Sequence, residues 1–231
     1  MSNAHRRRVL MPTVRHECGH LLVARNLGFP TGDIQLRENT AGAGIDLVLS
    51  LRNIEEILTY LEKRIQVLFA GALAESIRGR QIQPDVAFNL LNSPTASASH
   101  DFAKIKELLR LCVGLRYPNA TEKEFGDRLT ELKDRLYNDV GPFIEANVSL
   151  IDKLALFFLD ELEKSNGGLM SKIFDLPKAS IDAFLASNID EQSVVVEVAP
   201  NPQPAARRYE RLNDIVTKAL KLMRKQKRMN D

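Results

Sequence analysis

His16-Glu17-Cys18-Gly19-His20 sets two histidines four residues apart inside an apolar-periodic stretch running from about Thr13 to Asn26. On a helix, residues at that spacing lie one above the other, so both imidazoles can reach a single tetrahedral metal ion. Glu17 falls about 100° further round the axis. That puts its carboxylate beside the open coordination position and not at a ligand position, where it can take a proton from water acidified by the metal. Cys18 points about 200° away from His16 and reads as helix packing. The downstream Gly and His that would extend the motif on the same turn are absent, with Ala24-Arg25-Asn26 in their place.

A chain of 231 residues, 44% hydrophobic and 27% charged, is long enough to bury a core around that helix and is not disordered in composition. The longest apolar run, Val67 to Ala74, is interrupted by Gly71 and is far shorter than the roughly 18 residues of a membrane span, so no transmembrane segment is expected. The basic start lacks a following apolar stretch, which argues against a secretory signal. Two cysteines, Cys18 and Cys112, exclude a disulfide scaffold and suit a reducing, cytoplasmic setting.

The apolar spacing predicts a mainly α fold with one small β element. Helices are expected over about 13–26, 50–79, 100–113, 122–138, 143–164 and 176–186, with Gly141-Pro142 dividing the fourth from the fifth. Ile34 to Leu36 and Ile45 to Leu49 read as short strands joined by the loop ENTAGAG, and 80–99 reads as a loop. Beyond residue 190 the character changes. A β-prone patch and Pro-rich linker (191–206) lead to a basic amphipathic helix (207–231). Residues 205–231 hold nine Lys/Arg against three Asp/Glu, leaving an acidic body with a basic tail under a net charge of +2. Only Tyr209 interleaves those cations, so a dedicated nucleic-acid surface is not expected. Docking on the acidic body or on a partner suits the tail better.

Two histidines need a third ligand from elsewhere. Glu38 lies in the expected loop, Glu75 comes late in the long helix, and Asp101 begins a helix, where free backbone N–H groups can hold a carboxylate and aim it outwards. His100 beside it is a rival ligand or a brace for one.

Here the sequence resembles the peptidase domain of FtsH-type zinc proteases. VRHECGHLLVARNLGF is similar to that family's HEAGH helix and AGIDLVLS to its substrate-binding edge strand. VLFAGALAES resembles its LAGRAAEE helix, and SASHDFAKIKELL its TGASNDLERAT segment. ANVSLIDKLALFFLDELEKSNGGLMSKIF resembles its late helix. The likeness covers about residues 10–176 within a domain placed at 10–190. It implies a helical zincin-like protease domain with an edge strand near the HExxH helix. His16, His20 and Asp101 would hold Zn2+, with Glu17 as general base. Glu75 would brace the ligands, and Gly44, Ile45, Asp46, Leu47 and Val48 would align an extended substrate. His100 departs from the family's Asn beside Asp101 and reads foremost as an exposed histidine at a helix start. The implied activity is hydrolysis of peptide bonds in unfolded or flexible polypeptide.

The departures matter as well. No G-x-x-x-x-G-K-[ST] occurs, so any ATP-driven unfolding is expected from an ATPase or other protein partner in trans. The family's ring assemblies make a homo-oligomer a further expectation. The competing reading is a non-catalytic module that keeps the protease fold to bind peptides or partners.

Overall fold

Two long helices, each with a glycine in its C-terminal half, set the architecture. In the computed structural model, which describes residues 2–38, 40–46 and 50–188, α1 spans Asn3–Asn26 and α2 spans Ile54–Glu75. His16 meets Glu75, His20 meets Val67 and the Leu27 carbonyl accepts from Lys63, so the two run antiparallel. A Cβ on Gly19 would lie 2.6 Å from that of Ala74 and 2.7 Å from the Ala70 carbonyl oxygen. Only glycine lets the axes approach this closely. From Val67 to Glu75 every residue of α2 is buried, as expected of a helix surrounded on all sides. The Asn53 side chain accepts from the Glu56 N–H at the start of α2, a cap that contributes about 1 kcal/mol.

Around this pair lie α3 (Pro84–Asn92), α4 (Ser99–Arg116), α5 (Glu122–Ala146), α6 (Val148–Lys164) and α7 (Lys178–Asn188). Strands β1 (Thr31–Arg37), β2 (Thr40–Ile45) and β5 (Ile173–Leu176) form an antiparallel sheet in the order β2-β1-β5. Ile77–Arg78 (β3) pairs with Gln81–Ile82 (β4) in a minimal hairpin. The described residues are therefore mainly helical with a small β component, as the periodicity predicts. The linker (191–206), the basic tail (207–231), Leu47 and Val48 lie outside the described residues.

Several expected boundaries shift, each for a physical reason. Helix α1 starts ten residues before Thr13, with Ser2 as its cap. Pro12 removes one helical hydrogen bond, yet the preceding turns are held to α6 by Arg7, which pairs with Asp160 at 2.6 Å and with Glu163. The expected break at Gly141-Pro142 is absent. Both residues lie inside α5, and the chain turns at Asn147, whose N–H is bonded to the Phe143 and Ile144 carbonyls. In the segment expected to be a loop, α3 begins with Pro84, a residue suited to a first helical turn.

The largest correction concerns ENTAGAG. Thr40 to Ile45 is strand, not loop, and Glu38 at φ 52° turns the chain between the paired residues Arg37 and Thr40. Small residues there signal close approach: a Cβ on Gly44 would come within 3.3 Å of Asp33 and Gly32. Strand β5 was also unanticipated. Its Ile173, exposed at the edge, looks like loop in sequence, but Leu176 is buried against Ile34.

Candidate metal centre

The buried half of α1 carries both apolar and polar side chains. His16, Glu17 and His20 are each less than a tenth exposed, although these residue types rarely lose water without a partner. Their partners come from three other elements. His16 Nδ1 lies 2.8 Å from Glu75 Oε2 on α2, and that oxygen also accepts from the Ser97 hydroxyl at 2.6 Å. His20 Nδ1 lies 2.7 Å from the Val67 carbonyl oxygen. A carbonyl can only accept, so His20 carries a proton on Nδ1, and Nε2 is the nitrogen left to face Asp101 or a metal.

Both Nε2 atoms converge on one oxygen of Asp101, which sits in the first turn of α4. Asp101 Oδ2 is 3.0 Å from His16 Nε2 and 3.2 Å from His20 Nε2, and the three donor atoms lie within 4.8 Å of one another. Tetrahedral nitrogen and oxygen ligands about 2.0–2.1 Å from zinc stand about 3.3 Å apart. The two nitrogen-to-oxygen distances therefore fit that coordination shell. The chemistry fits too, because two imidazole lone pairs facing a carboxylate repel each other unless a cation lies between them.

Without a metal that cation is a proton. Burial works against a charge on His16, but hydrogen bonds to Asp101 and Glu75 and the charge of Glu17 outweigh it and raise its pKa to about 10. Burial would likewise raise Asp101, yet the bonds from His16 and His20 hold it well below the usual carboxylate range.

Gly71 leaves the space the ligands need. A Cβ there would lie 2.5 Å from the Nε2 atoms of both His16 and His20. The imidazole tips thus rest against bare backbone of α2, in an edge-to-face pair with ring centroids 4.6 Å apart.

Glu17 takes no part in this cluster. Its Oε2 accepts the Ala43 N–H at 2.8 Å, and its other oxygen makes no hydrogen bond among the described residues. Since the Ala43 N–H points away from β1, alternation along the strand turns Ala41 outwards as well. The free edge of β2 and the donor cluster share one cleft of about 440 Å³. Of the residues expected to align a substrate, Gly44 and Ile45 fall in β2 and Asp46 follows it, while the outward backbone groups near Glu17 belong to Ala41 and Ala43. Asp101 joins the two histidines, Glu75 braces His16, and Glu38 turns the β1–β2 connection. His100 lines the cleft, exposed, with no hydrogen bond among the described residues. Cys18 is fully buried, and burial pushes its thiol pKa up, in keeping with packing alone.

No protein-family model matches the chain, and no curated protein sequence matches it. What the site can do must therefore be argued from its own residues. Three contributors were not apparent in the sequence: Ser97, the Val67 carbonyl and Gly71. Gly71 alone left a signal, since a glycine in the middle of a strong helix costs about 1 kcal/mol relative to alanine and marks a close approach.

Proposed function

We propose that this chain is a zinc-dependent endopeptidase of the FtsH type, with a zincin-like arrangement of helix and edge strand. One observation carries the reading. A buried carboxylate that is not a ligand, Glu17, stands in the same cleft as the His16, His20 and Asp101 donors and is hydrogen-bonded to the free edge of a β-strand. Two imidazoles and one carboxylate also suit ferrous iron. Glu17 favours hydrolysis, because a site that only held a metal would gain nothing from a buried base beside it.

Zinc held by His16, His20 and Asp101 would supply Lewis acidity, polarising a carbonyl and acidifying water. The remaining work falls to the chain. An unfolded or flexible polypeptide adds to the outer edge of β2, pairing with the backbone of Ala41 and lying extended across the cleft. The Ala43 N–H fixes one oxygen of Glu17, so the other is aimed without loss of freedom at the moment of reaction. That oxygen accepts the proton of the attacking water and delivers it to the leaving amine. Glu75, the Ser97 hydroxyl and the Val67 carbonyl hold the imidazole rings in the tautomer that presents Nε2.

Metal analysis of the purified chain, followed by cleavage of labelled casein or peptides, tests the reading. The expected result is one zinc per chain and hydrolysis that falls on the order of 10²–10⁴-fold in Glu17→Gln, with zinc retained. Iron in place of zinc, or cleavage indifferent to Glu17, overturns it.

A further inference from the structure

The cleft contains positive charge that metal binding does not use. Its two carboxylates are committed, Glu17 to Ala43 and Asp101 to the imidazoles. Arg64 on α2 and Lys104 on α4 also line it, and neither makes a hydrogen bond or ion pair among the described residues. Arg64 is the more telling. It is half-buried, its guanidinium lies 6.0 Å from the centre of the Phe29 ring, and its Nη1 is buried without a partner.

The other half-buried arginines each have an acceptor for at least one guanidinium nitrogen, although Arg25 Nη1 is likewise buried without a partner. Arg15 faces Asp152 at 2.7 Å, Arg25 faces Asp182 at 2.6 Å and Arg37 faces Asp175 at 2.6 Å. Arg7 pairs with Asp160 and Glu163, and Arg6 donates to the Leu169 carbonyl. The acids nearest Arg64 in sequence are engaged elsewhere: Glu62 pairs with Arg116 and Arg135. A guanidinium nitrogen removed from water with nothing to donate to is costly, and folded proteins seldom retain one without a reason.

We infer that Arg64, assisted by Lys104, recognises a carboxylate on the substrate a few residues from the bond that is cut. This rests on the peptidase reading above and adds a substrate class to it. Arginine offers a planar fork that matches a carboxylate with two parallel hydrogen bonds. Arg64 lies seven residues before Gly71, about 10 Å along α2. Side chains lean toward the N-terminus of their helix, and the guanidinium lies beside Phe29. With an advance of about 3.4 Å per residue of extended peptide, a carboxylate held there lies about three residues or more from the metal ligands. The carboxylate is either an Asp or Glu side chain or the free C-terminus of a short peptide, and the same fork serves both.

The test uses the zinc-loaded full chain and matched labelled peptides. One series scans Glu against Gln through the positions flanking the cleaved bond. The other compares free with amidated C-termini. The expected result is a preference of about tenfold or more in kcat/KM for the carboxylate at one position, as for a charge-assisted hydrogen bond. Arg64→Gln should reduce that ratio to about one and Arg64→Lys should restore part of it, each variant being checked for bound zinc and cooperative unfolding. Side-chain preference in the first series assigns the site to acidic residues, and preference in the second assigns it to the C-terminus. Equal cleavage of all pairs overturns the inference and leaves the peptidase reading intact. Direct binding of the same peptides to zinc-loaded Glu17→Gln separates the two ideas further. Arg64-dependent binding of carboxylate peptides without cleavage by wild type keeps the carboxylate site and removes the peptidase. Binding indifferent to both the carboxylate and Arg64 removes the inference.

Discussion

Two charged clusters in this molecule are built from helices in similar ways and behave differently. In one, Glu62 of α2 lies between Arg116 of α4 and Arg135 of α5, at 2.9 and 2.8 Å. Each charge meets an opposite charge, the arginines stay partly in water, and nothing further is required. In the other, His16 and His20 of α1 and Glu75 of α2 are buried, Asp101 of α4 is partly buried, and their donor atoms point at one another. Acids and lone pairs are in surplus there, so a cation is needed to complete the cluster. The contrast separates charges that hold a fold together from charges arranged to hold something else.

Substitutions can break that contrast, and the largest effect is expected at a residue without a side chain. Gly71→Ala puts a methyl group 2.5 Å from both ligating nitrogens, so both rings must turn. Loss of stoichiometric zinc, read by metal analysis on protein that still unfolds cooperatively, is the expected outcome. Glu75→Gln keeps the shape but weakens the acceptor behind His16, and zinc affinity should fall on the order of 10–100-fold in a chelator competition.

The pH dependence sharpens the comparison. His16 in the metal-free chain holds its proton to about 10, above its ordinary value of 6.5, so zinc must expel that proton. Affinity should rise with pH, and calorimetry near neutrality in buffers of different ionisation enthalpy should read about one proton released per zinc. Stability of the metal-free chain runs the other way. A raised pKa contributes stability that is complete below about 6.5 and is lost as pH climbs through about 10. Chelated protein should therefore soften over that window in thermal melts, while loaded protein, with its imidazoles neutral, should not. The smallest effect belongs to the other cluster: Glu62→Gln should cost at most about 1 kcal/mol in denaturant unfolding and leave zinc binding unchanged.

How much of this was legible in the sequence follows from the range of the interactions. His16, Glu17 and His20 are set by spacing on one helix, and a four-residue repeat is visible to anyone reading the chain. Asp101 is 81 residues beyond His20. Helix periodicity places it at a helix start but cannot say that α4 packs there, and residues alone left Glu38 and Glu75 as rivals. Strand β2 was hidden because Thr-Ala-Gly-Ala-Gly has the composition of a loop; its place beside β1 comes from close packing that demands small residues. Pro142 misled for the opposite reason. Proline usually ends a helix, but Val140 and Ile144 on either side are buried, and their packing carries α5 past it. Arg64 carries no signal in the sequence, and only the fold shows that it lines the cleft with no hydrogen-bond or ion-pair partner among the described residues.

The short outer edge of β2 has a consequence for the proposed peptidase. It offers the cleft few backbone groups, Glu17 occupies one of them, and the glycines at 42 and 44 carry no side chains to grip a neighbour. An edge so sparing holds an extended chain weakly by itself, so lasting attachment depends on the other contacts in the cleft. In the proposed peptidase, each fragment of a cut chain would keep only part of those contacts and would be free to leave. A longer and stickier strand would then favour product retention over repeated turnover.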